Sequence, residues 1–193
     1  MTVTSGFYDS YNGDRVYTAD QFCSFFDGLI NDGVYSAVGY RFYVTAAGGL
    51  NVYVESGRAW FDRTWTFNSQ KLTLAVPAPD TVYPRIDAVI IEINKDERRN
   101  TIKIKKGTAS SNPSRPSLTK STSLKQYALA YISVGRNASS ISNSNIENVV
   151  GQPETPLITF MNVEGMPVMK YSTTDITAGK TTLYTGTLYL VYE

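Results

Sequence analysis

The chain contains no histidine and, among its 193 residues, a single cysteine, Cys23. Without histidine there is no Ser-His-Asp or Cys-His nucleophile, no imidazole metal ligand and no imidazole general base. One cysteine rules out an intramolecular disulfide and fits folding in a reducing compartment. A lone thiolate without histidine also cannot build a zinc site of any usual type. Neither a P-loop nor a Gly-rich dinucleotide fingerprint is present. The 18 basic residues nearly balance the 17 acidic ones, for a net charge of +1. The basic excess of a nucleic-acid binder is therefore missing. No apolar run approaches the length of about 18 residues that a membrane helix needs. The N-terminus is polar and reads without a signal peptide. The chain is expected to be non-enzymatic, with no cofactor, no metal, no nucleic acid and no membrane partner.

What is present describes a folded protein. Hydrophobic residues make up 42% of the chain and charged ones 18%, which separates it from disordered sequences. Its length suits one medium domain with a small appendage, enough to bury a core without disulfides. Near-zero net charge lowers repulsion between copies, as suits a part that works in an assembly. Tyrosine is unusually frequent, with 14 residues beside 8 Phe and 2 Trp. Tyrosines with their rings in a β-core and hydroxyls at its rim account for many of these. The sharper reading is interface, since tyrosine supplies large contact area at low entropy cost.

Periodicity predicts one helix, over residues 18–33. Thr18 and Gln21 form a capping box, Phe22, Phe25, Phe26, Leu29 and Ile30 make one apolar stripe, and Gly33 supplies the stop. Cys23 falls beside that stripe. From there the pattern is β. Residues 41–45 read as a strand; Leu50, Val52 and Val54 alternate with polar neighbours. Residues 59–62 and 64–67 form a tight hairpin around Asp62-Arg63, and Leu72, Leu74 and Val76 alternate again. Residues 86–93 are almost continuously apolar and β-branched, the pattern of a strand buried on both faces. Residues 101–106 pair with it across a charged turn. Residues 124–134 hold another apolar run, and 109–123 are a Ser/Thr/Pro loop. The expected fold is mainly β: an antiparallel β-sandwich with the N-terminal helix packed on it, followed by a small C-terminal β-hairpin unit.

Gly151 to Pro156, with two prolines, reads as the boundary between a first domain, 1–150, and a tail, 151–193. In the tail, 157–163 is expected to pair with 166–171, and 181–184 with 188–192. The tail is too small for a core of its own, and its Tyr171, Tyr184, Tyr189 and Tyr192 are the interface candidates.

Few side chains are candidates for chemistry. A glycoside hydrolase would need two of Asp9, Asp14, Glu55, Asp62, Asp87 and Glu92, but most lie at turns or beside strands, where carboxylates are solvated or cap backbone groups. Arg85 and Asp87 flank Ile86 on one strand face and read as a structural ion pair; Asp14 and Arg15 read as a local pair at a turn. Lys103 and Lys105, with Lys106, read as lysines that keep a sheet edge soluble, or as a contact for an acidic partner or cell-wall polymer. Trp60 and Trp65, with Phe61 and Phe67, read either as a core cluster or as a glycan-stacking platform.

Three segments also resemble a known family: Gly57-Arg58-Ala59-Trp60-Phe61-Asp62, Tyr83-Pro84-Arg85-Ile86-Asp87-Ala88-Val89-Ile90-Ile91 and Lys103-Ile104-Lys105-Lys106-Gly107-Thr108. Upstream, Ser5-Gly6-Phe7-Tyr8-Asp9-Ser10, Gly13-Asp14-Arg15, Tyr17 and 19–22 extend the likeness, which spans about residues 5–150. In this order they are similar to tailed-bacteriophage structural proteins of the baseplate-upper and tail fibre type. The resemblance implies an attachment or adaptor domain that docks to other tail, baseplate or neck proteins, located in the virion after assembly in the bacterial host cytoplasm. It makes self-assembly, with a homotrimer favoured, the expected mode of action. A module that recognises a bacterial surface glycan, or a head or neck fibre protein, is the alternative it implies.

Overall fold

The structure, a computed structural model, describes residues 6, 8–13, 16–158, 169–172 and 188–191. It is mainly β, with one short N-terminal helix. The chain divides into two compact units: Asp32–Ile158, and the terminal segments Met1–Asn31 with Thr159–Glu193.

The larger unit is β-sandwich-like and holds three sheets. Its strands are β1 (Gly33–Gly39), β2 (Val44–Ala46), β3 (Asn51–Val54), β4 (Gly57–Phe61), β5 (Thr64–Asn68), β6 (Leu72–Ala75), β7 (Arg85–Asn94), β8 (Arg99–Lys105), β9 (Leu124–Val134), β10 (Ile146–Asn148) and β11 (Leu157–Ile158). They are ordered β11-β1-β4-β5, β10-β9-β7-β8 and β2-β3-β6. All pairs in this unit are antiparallel except β1 with β11, which is parallel. The hairpin of β7 and β8 stands as the sequence indicates, and β7 is buried on both faces. Val89, Ile91 and Ile93 enter the main core with Val34, Phe42, Val52 and Phe61, while Ala88 and Ile90 enter a second cluster with Ala128 and Tyr131.

The unbroken apolar run in β9 has a structural cause. Opposite β7 the register jumps from Val89↔Ala130 to Ile90↔Ala128, so Leu129 is an inserted residue. Such a bulge shifts the alternation by one. Tyr127 and Leu129 on one side of it, and Ala130, Ile132 and Val134 on the other, therefore all reach the main core.

Two sheet edges, at β2 and β5, are bridged by asparagine amides, which offer the same donor and acceptor as a peptide group. The Val44 N–H donates to Asn148 Oδ1 at 2.7 Å, and Asn148 Nδ2 donates back to the Val44 carbonyl at 2.9 Å. Asn143 Oδ1 accepts from the Ala46 N–H at 2.8 Å. These join edge strand β2 to the segment around β10. On the other side, the Asn100 amide of β8 contacts the Trp65 carbonyl at 3.1 Å and the Thr64 and Thr66 hydroxyls at 2.9 and 3.0 Å. Open strand edges invite pairing with other chains, and here side chains take those positions.

Two expectations are corrected. The helix, α1 (Ala19–Ser24), starts where the capping box puts it, with the Thr18 N–H donating to Gln21 Oε1 and the Gln21 N–H to Thr18 Oγ1. It ends at Ser24 rather than running to Gly33. Beyond it, i→i+3 bonds such as Phe25 to Phe22 and Asp27 to Ser24 wind the chain into turns, and Gly28 takes φ +79°. Phe, Asp and Gly are poor helix formers, and the Ser24 hydroxyl competes for the Gln21 carbonyl. None of its residues is buried; Phe22 and Phe25 are each 55% exposed. Gly33 opens β1, where an added Cβ would meet the Pro156 carbonyl oxygen at 2.7 Å.

The tail pairs differently from the expected hairpins. Leu157 and Ile158 run parallel to Val34 and Tyr35 as β11, so the larger unit extends past Gly151–Pro156 to Ile158. Apolar Leu157 packs against the main core. Strands β12 (Met169–Ser172) and β13 (Leu188–Val191) pair with each other, in parallel. Residues 159–168, 173–187 and 192–193, and with them the rest of the expected hairpins, lie outside the described residues, as do Asp14 and Arg15.

Candidate functional site: an aromatic face on the β4–β5 hairpin

Asp62 and Arg63 both sit at positive φ, 51° and 60°. That is the two-residue turn whose twist matches a hairpin, and it sets the register of β4 against β5. Trp60 faces Trp65 and Arg58 faces Phe67, with Ala59 opposite Thr66 pointing the other way. Ala59 and Phe61 are buried, whereas Trp65 is 60% and Phe67 50% exposed. The outer face of the hairpin therefore carries Arg58, Trp60, Trp65 and Phe67. The Arg58 guanidinium lies 5.4 Å from the Trp65 ring centroid and 5.3 Å from that of Phe67, a cation held over two aromatic faces.

This divides the aromatic quartet named from the sequence. Trp60, Trp65 and Phe67 share the outer face. Phe61 belongs to the core, stacked on Tyr127 with centroids 3.8 Å apart and an interplanar angle of 16°. Sequence reasoning missed Arg58 as a site residue. The signal for it was available, because a two-residue turn at 62–63 pairs position 58 with 67 as surely as 60 with 65.

Four of the six carboxylates named from the sequence are held by cations; Asp9 is exposed, and Asp14 lies outside the described residues. Asp87 lies fully buried against Arg85. Glu55 pairs with Lys71 at 2.9 Å. Glu92 accepts from Lys103 at 2.6 Å and from the Gln126 amide at 2.7 Å, while Lys105 donates to Gln126 Oε1 at 2.6 Å. Lys103 and Lys105 thus serve an internal polar network across β7, β8 and β9. Asp62 lies between Lys125 at 2.6 Å and Lys95 at 2.7 Å. Next to it, Asp32 accepts from the Asp62 N–H at 2.9 Å and from the Tyr127 hydroxyl at 3.1 Å. Burial, then the charge of Asp32 and the hydrogen bond to it, push the Tyr127 hydroxyl well above the ordinary tyrosine range.

Burial alone would raise the carboxyls of Asp62 and Glu92. The hydrogen bonds and charges of Lys125 and Lys95, and of Lys103 with Gln126, outweigh it and hold both below their ordinary range. A depressed folded-state pKa contributes stability above the unfolded value, about pH 4, which is lost as pH falls through the lower folded value. Asp62→Asn is therefore expected to cost about 1.5–3 kcal/mol at pH 7 and much less at pH 3. Urea midpoints of both proteins across that range check it; parallel curves would contradict the assignment.

Tyr171 lies in β12 opposite Leu190, and Tyr189 in β13 opposite Lys170. Tyr184 and Tyr192 lie outside the described residues. Among the described residues no group of three or more His, Cys, Asp or Glu is placed to hold a metal ion, and no helix is long and apolar enough to cross a membrane. No family model, no curated protein and no solved structure matches the chain.

Proposed function

We propose that this is a non-enzymatic structural protein of a bacteriophage virion, a tail, baseplate or fibre component that acts by self-assembly and by docking to other virion proteins. One observation carries the reading. Of thirteen exposed large apolar residues among the described ones, seven fall in the N-terminal stretch: Tyr8, Tyr11, Val16, Tyr17, Phe22, Phe25 and Leu29. Exposed apolar side chains concentrated in one segment are what a protein-binding segment would present. The likeness to phage attachment domains begins in this same stretch, at residue 5. The pairing of β12 with β13 adds support, because among the described residues that sheet has two strands, and a two-stranded sheet is marginal unless something completes it. A second and third copy of the chain would supply strands and cover.

The test is the solution mass of the full chain by light scattering. The expected result is a trimer that Phe22→Ser with Phe25→Ser weakens while the larger unit keeps its urea midpoint. A chain that stays monomeric at tens of micromolar would overturn self-assembly.

A further inference from the structure

We propose that the outer face of the β4–β5 hairpin binds an acidic polysaccharide, its sugar rings stacked on Trp65 and Phe67 and an anionic substituent held by Arg58. Three observations lead to this class of ligand. Trp65 and Phe67 sit two residues apart on one strand face, about 7 Å along the strand, and both are at least half exposed. Flat, electron-rich aromatic faces attract the weakly positive C–H faces of sugar rings by the same quadrupole that attracts cations.

The second observation is the charge. Arg58 is exposed, stands over both rings, and has no carboxylate against it among the described residues. The acidic groups nearest along the hairpin are engaged elsewhere, Glu55 with Lys71 and Asp62 with Lys95 and Lys125. A guanidinium held by stacking keeps its donors free for a carboxylate or phosphate, which it can grip with two parallel bonds.

The third observation argues against a peptide strand or a second copy. β5 is the outermost strand of its sheet, but the Trp65 carbonyl on its open side is already filled by the Asn100 amide. Strand addition needs that row of backbone groups. A two-fold contact between copies across this face would also bring two Arg58 charges into one patch. What the face leaves available is side chains: two flat rings and one cation with no carboxylate against it among the described residues.

The chain's only two tryptophans, Trp60 and Trp65, are both on this face, so its tryptophan emission arises there. The full chain is titrated with polygalacturonate, with a neutral galactan of similar length, and with polyglutamate. The expected result is a saturable emission change with polygalacturonate, at least about tenfold tighter than with the neutral polymer, the value of one charge-assisted hydrogen bond. Arg58→Ala should remove that preference, added salt should weaken it, and Trp65→Ala should abolish binding with the urea midpoint unchanged. No response to any glycan overturns the proposal. So does equal affinity for polyglutamate, which would point to an acidic protein, and so does a self-association lost in Trp65→Ala, which would make the occupant a second copy. Failure here leaves the assembly reading standing, since that is judged by the mass of the wild-type chain.

Discussion

Asp87→Ala is expected to lower the unfolding free energy by about 3–5 kcal/mol, the cost of removing one partner from a buried ion pair. For a domain of ordinary stability, about 5–15 kcal/mol, that is a large fraction of the whole. Arg85 is 1% exposed and Asp87 fully buried. The guanidinium grips the carboxylate with two bonds, Nε to Oδ1 at 2.9 Å and Nη2 to Oδ2 at 3.1 Å. Its remaining donors reach the carbonyls of Pro77 and Ala78, which ties the proline-rich loop to the start of β7. The Gly107 N–H completes the carboxylate at 2.8 Å. Alanine would strand a buried cation and orphan that N–H. Asp87→Asn keeps an acceptor but not the charge, so its cost should fall between those of alanine and wild type. Urea unfolding of the three proteins checks the order; a loss below about 1 kcal/mol for alanine would mean that water reaches Arg85.

Gly107→Ala is expected to be of comparable size, about 3 kcal/mol or more, at the upper end of overpacking costs. A Cβ built on Gly107 would overlap the carbonyl oxygen of Ile86 and lie 3.0 Å from its carbon. Backbone cannot rotate away as a side chain can, so the segment after β8 would have to move off β7. This is the close approach of two chains that makes glycine necessary in a sheet. Gly135→Ala is the control, because its Cβ would meet nothing within 4 Å, and it should change the urea midpoint little. Gly107 and Asp87 share a hydrogen bond, so the double substitution should cost less than the two single costs together. Strict additivity would show that the clash and the ion pair act independently.

The elements read correctly from the sequence are those whose signal is local. Residues 86–93 carry an apolar run that only a doubly covered strand explains, and the charged turn after them leaves one partner within reach. Asp62-Arg63 lies between two short aromatic strands and closes them as a hairpin. The Thr18–Gln21 capping box places the helix start. Where the helix stops was less legible, because the stripe from Phe22 to Ile30 keeps helical spacing although Phe, Asp and Gly favour it little. The bulge at Leu129 leaves no local mark: an apolar run looks the same with or without a change of phase. Parallel pairing of β11 with β1, and of β12 with β13, joins strands far apart in the chain, for which the sequence has no turn to read.

The site divides in the same way. Trp60, Trp65 and Phe67 stood out by residue type, and the alternation of a hairpin was enough to put them on one face. Which face met water depended on the rest of the molecule. Phe61 stacks on Tyr127 from a strand more than sixty residues away, so that side closes and the other stays open.

The sequence by itself determined that the protein is mainly β, where its strongest hairpins lie, and that Arg85 and Asp87 form a pair. These follow from side-chain period, turn geometry and charge spacing within a few residues. Only the tertiary structure decided that this pair is buried beneath a loop, that asparagine amides bridge the edges at β2 and β5, and that Arg58 stands over two exposed rings with no carboxylate beside it among the described residues. Each of those depends on which distant segment packs against which, and burial, not residue type, sets what a charge or an aromatic ring can do.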